Sequence, residues 1–164
     1  MLRPLILLLT VTLLLALGGC TPENGDYFAP LQGDFSARIK GEWQALAFEA
    51  ELSASAPDGQ GERVMTLTFY APSSLSGTVL KKEASGALTL TSEDITLPLT
   101  AQAARGYGAL FALFPTTGTV RDVTREGENT RLTGEGFSLL FAPDGTPLAA
   151  ENDTASVRIE RFEG

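Results

Sequence analysis

The single cysteine, Cys20, follows a segment with the features of an export signal. Arg3 supplies a positive charge, a mostly apolar run extends from Leu5 to Leu17, and Gly18 and Gly19 precede the cysteine. The run is shorter than the ~20 residues that a helix needs to cross a bilayer. It fits the roughly 7–15 residues of a signal-peptide core, and small residues are typical before a cleavage site. The sequence therefore predicts that residues 1–19 are a signal peptide.

Leu17, Gly18, Gly19 and Cys20 resemble the lipobox of bacterial lipoproteins. The resemblance implies a diacylglycerol on the Cys20 thiol, and two acyl chains at ~0.8 kcal/mol per buried CH₂ make a stable anchor. It also implies a location in the cell envelope, outside the cytoplasm, on a bacterial membrane. The alternatives are an ordinary secretory signal with an accidental cysteine, and an anchor helix that is not cleaved.

The composition excludes most catalytic chemistries. Without histidine the chain has no Ser-His-Asp triad, no Cys-His dyad and no imidazole ligand for a metal. Glu49 and Glu51 could just meet the carboxylate spacing of a glycosidase. However, they alternate with apolar residues, so we expect them to face solvent, where nothing raises the pKa of a carboxyl group. We predict no enzyme activity, no metal site and no cofactor besides the diacylglycerol on Cys20.

The charge balance makes nucleic acid an improbable partner. The chain has 12 Lys and Arg residues against 20 Asp and Glu residues, for a net charge of −8 at pH 7. Proteins that bind nucleic acid neutralise phosphates with clustered Lys and Arg, whereas lysine occurs here only at Lys40, Lys81 and Lys82. The partners that we expect are the membrane, a lipid or acylated ligand, and an envelope protein.

Residues 20–33 contain the predicted anchor and a segment rich in proline, glycine and polar residues, which is typical of a flexible tether. The alternative is that Tyr27, Phe28 and Leu31 dock on the domain. From residue 34 onward apolar residues alternate with polar ones, which indicates β-strands. The first two runs, 34–40 and 44–54, predict an antiparallel hairpin with its turn at Gly41-Glu42.

Further runs of the same kind predict strands over 63–70, 78–82, 87–91, 95–99, 119–125, 130–134, 137–141 and 155–162. Pro98 places the run at 95–99 at an edge or a strand end. Between residues 100 and 114 the apolar spacing changes to three and four, which predicts an amphipathic helix that Thr100 caps and Pro115 ends. The predicted fold is mainly β (α+β), a curved antiparallel sheet or half-open β-barrel covered by one or two helices.

Three segments resemble the LolA/LolB-like superfamily of lipoprotein carriers. Met65–Gly77 is similar to its strand and "PxxLxG" turn, the helix ending at Phe114 takes the place of its mid-chain helix, and Phe137–Pro147 is similar to its late hairpin. The resemblance implies that residues 34–164 form a half-open antiparallel barrel, closed by helices around an apolar cavity. Carriers of this kind bind the acyl chains of lipoproteins.

An apolar ligand needs a concave, mostly hydrophobic pocket. The candidates for its wall are Leu46, Phe48, Leu67, Phe69, Leu80, Leu110, Phe111 and Phe114. Pro72, Leu75 and Gly77 are candidates for a loop at its mouth, or form a simple turn in which Gly77 takes a positive φ. We predict non-enzymatic binding or transfer of a lipid or acyl group. The alternative is an anchored scaffold with a filled core that binds a protein partner.

Overall fold

The computed structural model describes residues 26–164. The predicted signal peptide, the lipobox residues Leu17, Gly18 and Gly19, the lipidation site Cys20 and the first part of the tether lie outside these residues, and they stay predictions.

The described chain consists of eleven strands and short helices. A 3₁₀ turn at Asp26–Phe28 leads into helix α1, Ala29–Gln32. Strands β1–β6 span Phe35–Trp43, Leu46–Ala54, Met65–Ala71, Val79–Lys82, Leu88–Ser92 and Ile95–Pro98. Helix α2 spans Ala101–Phe111. Strands β7–β11 span Val120–Glu126, Asn129–Gly134, Ser138–Phe141, Pro147–Glu151 and Ala155–Glu163.

All eleven strands form one antiparallel sheet in the order β6-β5-β4-β3-β2-β1-β11-β10-β9-β8-β7. Two meanders therefore meet at the centre, where β1 pairs with β11. The edge strands β6 and β7 do not pair with each other, so the sheet stays open, and α2 connects the two edges. This architecture confirms the predicted mainly β fold, a curved half-open sheet with a helix. Pro98 does lie in an edge strand, as predicted.

Alternation along the strands creates the core. In β3, for example, Met65, Leu67 and Phe69 are buried, whereas the residues between them are partly exposed. Because side chains alternate between the two faces of a strand, one face of the sheet carries the apolar residues. Helix α2 adds Leu110 and Phe111 to the same hydrophobic cluster.

The predicted helix is present and its N-terminal cap is as expected, but it ends at Phe111, three residues before the predicted end at Phe114. The Thr100 hydroxyl accepts a hydrogen bond from the amide of Ala103 at 3.4 Å. Gly106 and Gly108 lie within the helix, where each costs roughly 1 kcal/mol relative to alanine. Packing against the sheet must therefore supply much of the stability of α2.

The predicted turn at Gly41-Glu42 is wrong. Strand β1 continues through both residues, and the hairpin turns at Gln44 and Ala45, which have φ values of 49° and 67°. Gly41 instead permits close approach of β1 to β11, because a Cβ at this position would lie 2.1 Å from the carbonyl oxygen of Ser156.

The packed domain begins earlier than the predicted boundary at residue 34. Phe28 and Leu31 are fully buried in the hydrophobic cluster, and the Phe28 ring meets the Phe137 ring edge-on at 5.8 Å between centroids. Burial of two large apolar side chains outweighs the spacer-like composition of this segment. Residues 28–31 therefore belong to the domain, as the docking alternative requires.

Candidate functional site

A groove of about 450 Å³ lies along helix α2, between its C-terminal half and the strands β3 to β5. This volume is within the range of small-molecule sites, about 300–1,000 Å³. The apolar side chains that line the groove come from three strands or loops and from the helix end: Met65, Leu88, Phe111, Phe114 and Phe137. Gly108 lies on the helix side of the groove. Apart from its chain neighbours and the backbone of the helix itself, no atom of residues 26–164 lies within 4 Å of the position that its Cβ would take.

Arg63 is the buried cation of the groove, with only 4% of its surface exposed. Its guanidinium donates hydrogen bonds to the carbonyl oxygens of Leu31 at 2.7 Å and Phe114 at 2.5 Å. It also lies 5.1 Å from the centre of the Phe35 ring. Burial lowers the pKa of Arg63 to about 10, which leaves the side chain charged at neutral pH. The segment before β1 and the segment after α2 are thus joined through one side chain.

The remaining charged groups of the groove are more exposed. The Lys82 ammonium lies 3.7 Å from a carboxylate oxygen of Glu62, a distance typical of a weak surface ion pair. Glu135, which also lines the groove, pairs with Arg121 at 3.2 Å. The groove therefore combines an apolar floor with a charged Arg63 and Lys82 near one wall, which suits a ligand with an apolar body and a negative end.

Helix α2 rests on the sheet through side chains. The Tyr107 ring packs on the Trp43 ring with centroids 4.8 Å apart. The Asn152 side-chain amide donates to the carbonyl oxygen of Ala109 at 2.7 Å. Together with the bond from Arg63 to Phe114, these contacts fix the position of the helix over the sheet.

Of the eight apolar residues predicted to line a cavity, seven are buried in the core: Phe48, Leu67, Phe69, Leu80, Leu110, Phe111 and Phe114. Leu46 is 39% exposed at the start of β2. Only Phe111 and Phe114 line the groove. Phe48 and Phe69 instead contact each other, with ring centroids 5.8 Å apart, so this part of the interior is filled. Contact of these residues with a ligand stays a prediction.

The predicted mouth loop connects β3 and β4. Gly77 has a φ of +80°, as the turn interpretation requires, and its amide donates to the carbonyl oxygen of Phe69 at 2.9 Å. The amide of Leu75 donates to the carbonyl oxygen of Pro72 at 2.9 Å. The loop follows the end of β3, whereas Arg63 and the start of β3 border the groove. The structure therefore does not bring this loop to the groove.

The carboxylates considered for catalysis form ion pairs on the sheet surface. Glu49 pairs with Lys40 at 2.7 Å and with Arg38 at 3.5 Å. The hydrogen bond from Lys40 lowers the pKa of Glu49, which is the wrong direction for a general acid. Glu51 pairs with Arg161 at 3.4 Å.

Within residues 26–164, no group of three or more Cys, Asp or Glu side chains could hold a metal ion. Across the same residues, the helices lack the length and apolar character that crossing a bilayer demands.

Sequence reasoning missed Arg63, although the sequence contains a signal for it. Arg63 stands two residues before Met65, and so belongs to the same face of the strand as Met65, Leu67 and Phe69. An arginine in line with three buried apolar residues is unusual, because arginine is almost never fully buried without partners. Here two backbone carbonyl groups are those partners.

Comparisons with solved structures define the fold. An uncharacterised conserved protein from Thermus thermophilus aligns with a TM-score of 0.51 and 15% identity, over 84% of this chain and 83% of that one. MucB also aligns with a TM-score of 0.51, at 13% identity over 89% of this chain. The chain has a LolA-like fold. It spans only 59% of the MucB chain.

A further solved structure aligns more weakly with this chain. A LolA superfamily protein from Nitrosomonas europaea aligns over 85% of this chain and 92% of its own, with 9% identity and a TM-score of 0.41. No protein-family model matches the chain, and no curated protein matches it. The likeness is therefore one of fold.

Proposed function

We propose that this protein is a non-enzymatic lipoprotein of the bacterial cell envelope that binds or transfers a lipid or acyl group in the groove beside α2. The observation that carries the proposal is the groove itself, where apolar side chains lie next to the charged Arg63 and Lys82. An acyl chain would lie along Met65, Leu88 and Phe111. A carboxylate or phosphate at its end would face the cations, because opposite charges attract most strongly where water is scarce.

The proposed anchor is a diacylglycerol on Cys20, which lies before the described residues. It would hold the domain at the outer face of a bacterial membrane, next to a supply of acyl chains. Mass spectrometry of the intact mature protein tests this part on its own. We expect a diacylglyceryl mass that disappears in Cys20→Ser, and an unmodified chain that begins elsewhere would contradict it.

The groove can be tested by filling it. Gly108→Leu would place a side chain in the open space beside the helix, whereas Gly108→Ala changes the helix propensity and adds only one methyl group. We expect residues 26–164 to bind a fluorescent fatty acid such as dansyl-undecanoic acid saturably. Gly108→Leu should weaken this binding by at least about tenfold, since losing the burial of two CH₂ groups alone costs about 1.6 kcal/mol.

Two controls make this experiment decisive. Gly108→Ala should bind nearly as well as the unchanged chain, and circular dichroism should show that both variants are folded. Lys82→Glu should weaken binding, whereas Lys81→Glu, whose lysine pairs with Glu83 at 2.7 Å, should not. Equal binding by Gly108→Leu and the unchanged chain would refute the groove as the site.

A second candidate function is that of a scaffold that binds a protein. The contact between Phe48 and Phe69 favours it, because a filled core needs no ligand. MucB, whose fold is similar, has a structure with MucA(peri). Absence of fatty acid binding, together with a stably folded domain, would leave this function as the better account.

A further inference from the structure

One row of apolar side chains crosses half of the sheet and ends at an exposed residue of the edge strand β6. Cross-strand pairing joins Leu52 to Leu67, Leu67 to Leu80, Leu80 to Leu90, and Leu90 to Leu97. The first three leucines are at most 1% exposed, Leu90 is partly buried, and Leu97 in the edge strand β6 is 57% exposed. The concave face of the sheet thus continues beyond the elements that cover it.

Within residues 26–164, no strand pairs with the outer side of β6. The amide of Leu99 donates to the carbonyl oxygen of Leu88 at 2.9 Å, and hydrogen-bonded pairs in an antiparallel ladder recur at every second residue. Leu97 therefore exchanges hydrogen bonds with Leu90, and the amide and carbonyl groups of Thr96 point away from β5. Pro98, which lacks an amide hydrogen, falls in register with Thr96, so the edge loses one donor there.

The two edges of the sheet differ in their protection. Strand β7 carries charged side chains at four of its seven positions, namely Arg121, Asp122, Arg125 and Glu126. Such charges discourage the addition of another strand. Strand β6, Ile95-Thr96-Leu97-Pro98, carries none, and its Ile95 is 64% exposed on the same face as Leu97. Of the two edges, β6 is the one that can accept a strand.

The turn beside this edge is acidic. Glu93 and Asp94 connect β5 to β6, and among the ion pairs of residues 26–164 neither carboxylate has a cation as partner. A partner with Lys or Arg next to its strand would neutralise this turn. A second copy of this chain is disfavoured, because each copy has a net charge of −8.

We propose that β6 binds an extended segment of a partner protein by strand addition, with apolar side chains at alternate positions and a basic residue opposite Glu93 and Asp94. A lipid could cover Ile95 and Leu97, but it could not form a ladder with the backbone of Thr96. Strand addition satisfies both the exposed backbone of β6 and its exposed apolar side chains. The main chain of the added strand supplies the hydrogen bonds, and its alternate side chains supply the apolar contacts. The proposal does not depend on the groove beside α2.

The test uses the full chain in lipid nanodiscs and a labelled nine-residue peptide. The peptide has valine at alternate positions, threonine between them and two lysines at one end. Fluorescence polarisation should show saturable binding, with empty nanodiscs as the blank. Leu97→Lys should weaken binding about tenfold, because it removes one apolar contact and adds a charge to the edge. The matched variant on the other edge, Val123→Lys, should bind like the unchanged chain.

Three further measurements test the backbone ladder and the basic residue of the partner. A peptide that is N-methylated on the residues facing β6 should bind at least about tenfold more weakly, because it cannot complete the ladder. Hydrogen exchange should show that the peptide protects the amide of Thr96, whereas the amide of Leu97 is protected in both states. A peptide with glutamates in place of its lysines should also bind more weakly.

Several results would overturn the proposal. They are no binding of the peptide at about 1 mM, equal binding by Leu97→Lys, equal loss in Val123→Lys, or no loss on N-methylation. The chain could instead associate with itself, lose this association in Leu97→Lys, and bind no peptide. That result would identify a second copy as the occupant of β6 and would also contradict the proposal.

Discussion

Replacement of Arg63 by methionine should destabilise the domain by about 2–4 kcal/mol. The variant keeps an unbranched apolar side chain but removes two hydrogen bonds from a charged donor, to Leu31 and Phe114, each worth roughly 1.5–3 kcal/mol. Part of this loss is offset, because the variant no longer buries a charge, and that burial is what lowers the pKa of Arg63 to about 10. The two carbonyl groups left without a donor keep the net effect destabilising.

Urea unfolding of residues 26–164 measures this effect. Trp43 is the only tryptophan, and its contact with Tyr107 makes its fluorescence a reporter of the packing of α2. We expect a lower urea midpoint with an unchanged slope. The urea midpoint of Arg63→Lys should lie between those of Arg63→Met and the unchanged chain, since one ammonium group cannot reproduce the two-pronged geometry of the guanidinium.

The matched control is Arg161→Met, because Arg161 is exposed and its ion pairs within residues 26–164, with Glu51 and Glu163, lie on the surface. Its effect should stay within about 1 kcal/mol. Equal midpoints for Arg63→Met and the unchanged chain would show that the two hydrogen bonds of Arg63 do not stabilise the domain. A loss in Arg161→Met as large as that in Arg63→Met would also contradict this stabilising role.

Three further predictions concern other parts of the domain. Gly41→Ala should cost about 1–3 kcal/mol, because its Cβ would lie 2.1 Å from a backbone oxygen of β11, whereas Gly33→Ala, with nothing within 4 Å, should be nearly neutral in the same urea assay. Leu31→Ala should cost about 2–5 kcal/mol because this leucine is fully buried in the core, and a change below about 0.5 kcal/mol would contradict its burial. Arg131 lowers the pKa of Glu126 through a hydrogen bond, so this pair stabilises the fold above pH 4.5 and loses that effect as the pH falls through the lowered pKa. Glu126→Gln should therefore reduce the loss of stability between pH 7 and about pH 3, and an unchanged pH profile would count against the pair.

The alternation of apolar residues predicted most of the sheet, because the same alternation decides which side chains reach the core. The helix was predictable from the spacing of its apolar residues at three and four positions and from Thr100 as its cap. The turn at Gln44 and Ala45 was not predictable, since neither residue type favours a positive φ. The turn was predicted at Gly41 instead, because glycine is common in turns. Close packing of β1 against β11 explains why this position is a glycine.

The candidate site was harder to predict than the fold. Periodicity shows which face of a strand is apolar, but it does not show whether side chains such as Phe48 and Phe69 meet each other or enclose a space. Arg63 lies outside the usual pattern of exposed arginines, and its partners are backbone carbonyls whose positions depend on the whole fold. The groove also depends on Gly108, whose missing side chain leaves the open space.

The proposed function requires that an acyl chain lie in the groove against Met65. This residue is the only methionine besides Met1, so selective labelling of methionine methyl groups gives a nearly unique signal there. Nuclear Overhauser effects between this methyl group and the methylene protons of a fatty acid, in otherwise deuterated residues 26–164, measure the contact directly. The proposed function predicts such effects, and predicts their loss in Gly108→Leu. Saturable fatty acid binding without any contact at Met65 would contradict it.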